Sequence, residues 1–258
     1  MFSSIRRMTR AVLPAIVETV YPKTCAGCGM RGLWLCDLCE TTVPPASISR
    51  SCRRCGLPEI GGRCGCRNLP PAIAHARSAY IYDGWAASAV KRVKYDGEWS
   101  RIEHLAQQMS GLMTDFGPID GLIPVPLHRS RERSRGFNQS RILAVELGKL
   151  SGVPVLDMLR RSRKTESQVS LSGDQRRENV TGAFGVDPAW MPRAGGHYVI
   201  VDDVRTTGST LGACAEALQA VSPSAISVVT FALDMHRDQV RALRDHLATS
   251  GVRGGGHS

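Results

Sequence analysis

Apolar positions in this chain fall into short blocks that switch between the two-residue period of strands and the 3.6-residue period of helices. Tyr198 to Val201 is a continuous apolar, β-branched run that predicts a strand buried on both faces, and a helical pattern follows from Leu211 to Ala220. Ala79 to Gly84 reads as a strand and turn. Trp85 to Val93 reads as a short helix with Ala86, Ala89, Val90 and Val93 on its inner face. Ile102 to Met113 is amphipathic and helical. Gly121 to Leu127 is a short apolar strand, and Asn138 is placed to cap a helix running through Gly148. Val153 to Leu159 and Ala225 to Asp234 are further strand candidates; a helix is expected from His236 to about Thr249, ahead of a Gly-rich tail ending at Ser258. Strands alternate with helices, so the expected class is α/β: a mostly parallel sheet covered on both faces, with ligands at the carboxyl ends of its strands.

Two stretches interrupt this pattern. Arg160 to Phe184 is too long and too polar for a buried connection and reads as a cover, with Gln168, Leu171, Arg176 and Asn179 spaced to share one side of a partly helical flap. At the other end, Ile5 to Val20 reads as an amphipathic helix lying on the body. Pro14 and Glu18 break its apolar part and no clean cleavage site follows, so a cytoplasmic location is expected. No apolar run approaches the ~20 residues of a membrane span. The expected organisation is a helical extension over 1–20, a cysteine-rich unit over 21–70, an α/β domain over 72–236, and a C-terminal helix and tail over 237–258, with Leu69-Pro70-Pro71 as a linker.

Charge sharpens the choice of partner. The 258 residues carry a formal net charge of +10, which favours anionic ligands such as nucleotides, pyrophosphate or nucleic acid. Cations concentrate where the Gly121–Leu127 strand ends: His128, Arg129, Arg131, Arg133 and Arg135, with Ser130 and Ser134 between them, in what reads as a loop before the Asn138 cap. Arg side chains with loop N–H groups suit pyrophosphate, which makes Pro126, Leu127, His128 and Arg129 a candidate pyrophosphate loop. Lys94, in the turn Lys94-Tyr95-Asp96-Gly97, is a further cation.

The acidic pair Asp202-Asp203 ends the most apolar strand and is followed by Thr206-Thr207-Gly208-Ser209-Thr210 at a helix start. N–H groups of such a turn, the positive end of the helix and the Thr and Ser hydroxyls make a site for a phosphate, with Gly208 allowing close approach. The two carboxylates sit where they can accept hydrogen bonds from neighbouring diol hydroxyls. Together these features make a site for a sugar phosphate.

Eight of the nine cysteines lie between Cys25 and Cys66, spaced C-x-x-C (Cys25, Cys28), C-x-x-C (Cys36, Cys39), C-x-x-C (Cys52, Cys55) and C-x-C (Cys64, Cys66). Two such pairs complete a four-thiolate zinc site with no open coordination position, so the metal would be a scaffold. The segment has few apolar residues and would need such a cross-link to fold. Disulfides are the rival chemistry and call for an oxidising compartment. Sequential sets are expected, with an interleaved pairing as the alternative. Cys214, alone in a helical pattern, reads as a small core residue.

The run VIVDDVRTTGST resembles the phosphoribosyl pyrophosphate motif of type I phosphoribosyltransferases. Taken with the cysteine pairs, VKYDGEW, PVPLHRSRERSRGFNQ and RKTESQVSLSGDQRRENVTGAF, in that order from about Cys25 to Asp234, the chain resembles the ComF family of competence proteins. That resemblance implies a double zinc ribbon on a type I phosphoribosyltransferase domain and a role in DNA uptake. Carried over, it has Asp202 and Asp203 holding ribose hydroxyls, Thr206 to Thr210 holding the 5′-phosphate, and Arg129 with its neighbours holding pyrophosphate bridged by Mg²⁺. Lys94 would reach the phosphates from the entrance, under a cover formed by Arg163 to Arg177. Positioning and charge stabilisation, not a covalent nucleophile, would drive such a reaction. The residues name no strong general base and no acceptor base. Two other functions fit the charge and the ribbons: a non-catalytic single-stranded-DNA-binding factor that senses a nucleotide, and an adaptor docking a competence helicase.

Overall fold

In the computed structural model, which describes residues 22–47, 51–57, 64, 66, 69–161, 182–190 and 195–250, the long apolar runs become the centre of a parallel sheet. The Ile5–Val20 expectation and most of the Arg160–Phe184 cover, including Gln168, Arg176 and Asn179, lie outside the described residues. In chain order the elements are α1 (Asp37–Glu40), β1 (His75–Ile81), α2 (Gly84–Tyr95), α3 (Arg101–Ser110), β2 (Gly121–Pro124), α4 (Arg129–Arg135), α5 (Gln139–Ser151), β3 (Leu159–Arg161), β4 (Phe184–Val186), β5 (His197–Arg205), α6 (Ser209–Leu218), β6 (Ala225–Leu233) and α7 (Arg237–Ser250).

Four strands, in the order β1-β6-β5-β2, pair in parallel. β5 and β6 are central because their runs are apolar at successive positions, and period-2 alternation deals those residues to two separate cores. Val199, Val201, Val229 and Phe231 face one layer with α2, α3 and α5; Tyr198, Ile200, Ile226 and Val228 face the other with α6. Each such side chain contributes about 1.5–3 kcal/mol on burial.

The helices follow their end signals. Asp83 caps α2 by accepting from the Gly84 N–H, and the buried side of α2 is Trp85, Ala86, Ala89, Val90 and Val93. Asn138 caps α5 by accepting from the N–H groups of Ser140 and Arg141, and Gly152 ends it in the left-handed region. The Ile102–Met113 helix stops earlier than its pattern: α3 tightens at Gly111 into a 3₁₀ turn that runs to Phe116. Val153–Leu159 does not form a full strand. It touches β2 at a single bridge, Leu122 with Val155, and the chain then turns away into the antiparallel pair β3–β4. Pro154 has no N–H to extend the ladder.

The cysteine-rich unit is woven into the sheet. Pro45 bridges Tyr80 on the outer edge of β1, the Ala46 N–H donates to the Ala79 carbonyl, and the Ala76 N–H donates to the Arg54 carbonyl. Gly56 lies so close to β1 that a Cβ there would meet the Ala76 carbonyl oxygen at 2.4 Å.

Candidate functional site

At the carboxyl end of β5 the strand carries its two acids out of the core into an open cleft of about 520 Å³. Asp203 is largely buried and is gripped by Lys94 at the end of α2, whose Nζ lies 2.9 Å from Oδ1 and 2.8 Å from Oδ2. Burial opposes the ammonium, but the Asp203 charge and hydrogen bond outweigh it and hold Lys94 above the ordinary lysine range. Asp202 accepts from the Ser140 hydroxyl at 2.7 Å and from the Asp203 N–H at 2.9 Å. Burial, then the neighbouring Asp203 charge, push its carboxyl up to about 7 despite the Ser140 bond.

Beyond the acids the backbone turns sharply. Gly208 has φ +77° and precedes α6, so the first N–H groups of that helix open onto the cleft. Thr206, Gly208 and Thr210 line the cleft, whereas the hydroxyls of Thr207 and Ser209 bond each other at 2.8 Å.

The basic run expected as a loop is a short helix. His128 caps α4 by accepting from the Ser130 N–H, Gly136 ends it in the left-handed region, and arginine is a good helix former. The helix sorts its cations by face: Arg131 and Arg135, one turn apart, line the cleft with Leu127, while Arg129 is exposed and does not. Pro126 and His128 flank the cleft without lining it. Arg135 is held by Gln139 Oε1 at 2.7 Å and lies 5.8 Å from the Tyr95 ring centroid. Arg161 of β3 enters from the other side over Phe184, its pKa lowered by burial and then by Arg131. Tyr82, Gln139, Ser140 and Asp234 complete a wall that the sequence did not single out. Only the i, i+4 spacing of Arg131 and Arg135 was a readable signal for it.

The eight N-terminal cysteines form two sets of four, Cys25, Cys28, Cys36, Cys39 and Cys52, Cys55, Cys64, Cys66, with sulfurs all within 4.8 Å of one another in each set. These are the sequential sets, not the interleaved ones. All are free thiols. Cys36 Sγ lies 3.7 Å from the sulfurs of Cys25 and Cys28, close to the about 3.8 Å edge of a tetrahedron with 2.3 Å metal–sulfur bonds. Burial opposes the Cys25 thiolate, yet N–H groups of Cys28, Cys36 and Gly27 bring it down to about 6, while hydrogen bonding to Cys36 pushes Cys39 up to about 12. Four crowded thiols cannot all ionise unaided; a bound dication removes that conflict. Cys214 is fully buried in α6, a core residue.

Residues 133–249 match the phosphoribosyl transferase domain family. The DNA utilization protein YhgH of Escherichia coli O157:H7 is 32% identical over 215 residues, 76% of this chain and 91% of that protein. Competence protein F of Haemophilus influenzae is 34% identical over 204 residues, 75% and 88% of the two chains, and competence protein ComFC of Bacillus subtilis is 28% identical over 201 residues, 77% of each. Among solved structures, an adenine phosphoribosyltransferase from Leishmania tarentolae aligns over 72% of this chain and 76% of its own at 12% identity and a TM-score of 0.37. A purine phosphoribosyltransferase from Pyrococcus horikoshii aligns over 52% and 74% at 18% identity and 0.34.

Proposed function

Because the chain belongs to the ComF family of competence proteins, we propose that its cleft binds phosphoribosyl pyrophosphate with Mg²⁺ and transfers phosphoribose to or from a base during the handling of incoming DNA. The observation that carries this reading is the convergence on one cleft of a paired carboxylate, an anion-binding turn and cations from three further elements. Asp202 and Asp203 accept the ribose hydroxyls, and the turn at Thr206, Gly208 and Thr210 takes the 5′-phosphate. Arg131, Arg135 and Lys94 face the pyrophosphate, and Arg129, exposed outside the cleft, draws it in. The carboxylates are hard oxygen donors of the kind Mg²⁺ takes beside substrate phosphates, and the ion when bound neutralises pyrophosphate charge. As the ribose–pyrophosphate bond lengthens, positive charge grows on the sugar next to Asp202 and Asp203, and negative charge grows on the leaving group among the arginines. Zinc fills the two cysteine sets as a structural ion, and the protein works in the cytoplasm.

The test is pyrophosphate release from phosphoribosyl pyrophosphate, Mg²⁺ and a panel of bases, set against an Asp202→Asn, Asp203→Asn double variant. Release that falls at least about a hundredfold in the variant is the expected result. Equal release from both proteins with every base removes the transferase reading.

A second reading, a single-stranded-DNA-binding factor, is favoured by the outer face of α4 and by Tyr95 and Trp99, which are 73% and 62% exposed and offer aromatic faces to bases. It requires affinity for single-stranded DNA that falls steeply with salt. No binding at low salt would dispose of it.

A further inference from the structure

We propose that each four-cysteine ribbon braces one wall of the cleft: the second holds the 206–210 turn through Arg205 and Pro70, and the first holds the Lys94 end of α2 through Arg92 and Arg101. The identity of these walls as ligand walls rests on the function proposed above; the bracing rests on contacts alone.

The second ribbon meets the turn twice. Arg205 ends β5 immediately before Thr206, is only 6% exposed, and sends its guanidinium inward, where Nη2 donates to the carbonyl of Cys55 at 3.0 Å. Cys55 is itself one of the four clustered thiols. On the other side of the turn, Pro70 packs where glycines leave room: a Cβ on Gly208 would lie 3.5 Å from Pro70 Cδ, and one on Gly212 2.7 Å from Pro70 Cγ. Pro70 follows Leu69, whose N–H donates to the Cys66 carbonyl at 3.1 Å. Two residues of the cysteine set are thus linked to the turn, Cys55 through the Arg205 hydrogen bond and Cys66 through the Leu69–Pro70 segment that packs on it. Cys55 also shares an apolar cluster with Leu211, Ala215 and Leu218 of α6, so the helix behind the turn rests on the same ribbon.

The first ribbon holds the opposite wall. Thr24, adjacent to Cys25, accepts from Arg92 Nη1 through its hydroxyl at 2.9 Å and from Arg101 Nη2 through its carbonyl at 2.8 Å. Arg101 is fully buried, donates also to the Trp34 carbonyl, and pairs with Glu98, which in turn pairs with Arg92. Arg92 stands two residues before Lys94, the residue that grips Asp203. The two metal sites therefore have separate duties, and loosening one should loosen one wall.

Amide hydrogen exchange on the ligand-free, metal-loaded chain, read by mass spectrometry, tests this with variants that keep all eight thiols. Arg205→Ala should speed exchange across 205–212 by about tenfold and leave 91–95 within about twofold; Arg92→Ala should do the reverse. Arg205→Lys, which retains a donor for the Cys55 carbonyl, should restore protection, and Arg205→Met, which fills the space without a donor, stands in under the Arg205→Ala criterion if that variant does not fold. Equal changes in both windows, or none in either, overturn the proposal. By reciprocity, phosphoribosyl pyrophosphate, which would touch both walls, should strengthen retention of both metal ions in equilibrium competition with a chromogenic chelator in the wild-type chain, and of one ion only in Arg205→Ala. Binding that strengthens retention of neither ion in the wild-type chain, or of both ions unchanged in Arg205→Ala, counts against the bracing. If the compound does not bind the wild-type chain, the proposed function fails, and the exchange measurements still decide the bracing.

Discussion

At the scale of single residues, Asp202 is the group whose chemistry changes near neutral pH. Its carboxyl stands at about 7 when folded against 3.8 in an ordinary environment. Between those values the folded state holds the extra proton, so the stability tied to this group falls as pH rises and levels off above about 7. Ribose hydroxyls donate, and so need the ionised form. Affinity for phosphoribosyl pyrophosphate should therefore climb as pH rises toward 7, by up to about tenfold per pH unit, and be flat above it. Calorimetric titrations from pH 5.5 to 8 check this against Asp202→Asn, which should lose the slope; a slope unchanged in that variant would place the proton on the ligand instead. Lys94 and Asp203 make the second residue-scale prediction. Asp203→Asn strands a mostly buried ammonium and should cost about 2 kcal/mol in urea unfolding. Adding Lys94→Gln should recover most of that loss, and a pair whose two changes simply add would refute the coupling.

At the scale of elements, the turn and helix α6 depend on missing side chains. Gly212→Ala places a Cβ 2.7 Å from Pro70 Cγ, so the Leu69–Pro70 segment must shift. The expected cost is about 1–3 kcal/mol with weaker ligand binding, despite alanine's better helix propensity. A variant as stable as the parent would mean that Pro70 yields freely. Elements also show what a linear reading can and cannot reach. β5, β6, the capped helix α5, the acidic pair and the grouping of cysteines were legible, because each is written in local periodicity, caps or short spacing. The wall made by Tyr82, Ser140, Arg161 and Asp234 was not, because those residues come from four separate stretches of chain, two of them just past the ends of β1 and β6, and only the tertiary fold joins them. The Arg129–Arg135 run reads as a loop from its density of charge, yet it folds as a helix stabilised by His128 at one end and Gly136 at the other.

For the whole molecule, a metal held by the two cysteine sets would be tied to the stability of the α/β body as well as to the ribbons. Stripping both ions with a strong chelator should lower Tm by roughly 10 °C or more, and re-addition of zinc should restore it with two ions per chain. An unchanged Tm after complete removal would show that the ribbons are an appendage. The structure argues otherwise, since ribbon residues Ala26, Val43 and Ala46 sit in the same core as Trp85 and Phe231.

The ladder between Pro44–Ala46 and β1 has a consequence for how the protein is made. A ribosome releases the cysteine segment before His75–Ile81, so an assembled ribbon can wait as a template that seals the strand when it emerges. In a zinc-starved cell the same strand would emerge with its outer edge open to pairing with another chain. Scarcity of the metal would then be felt first as aggregation of newborn protein, with the mature pool spared.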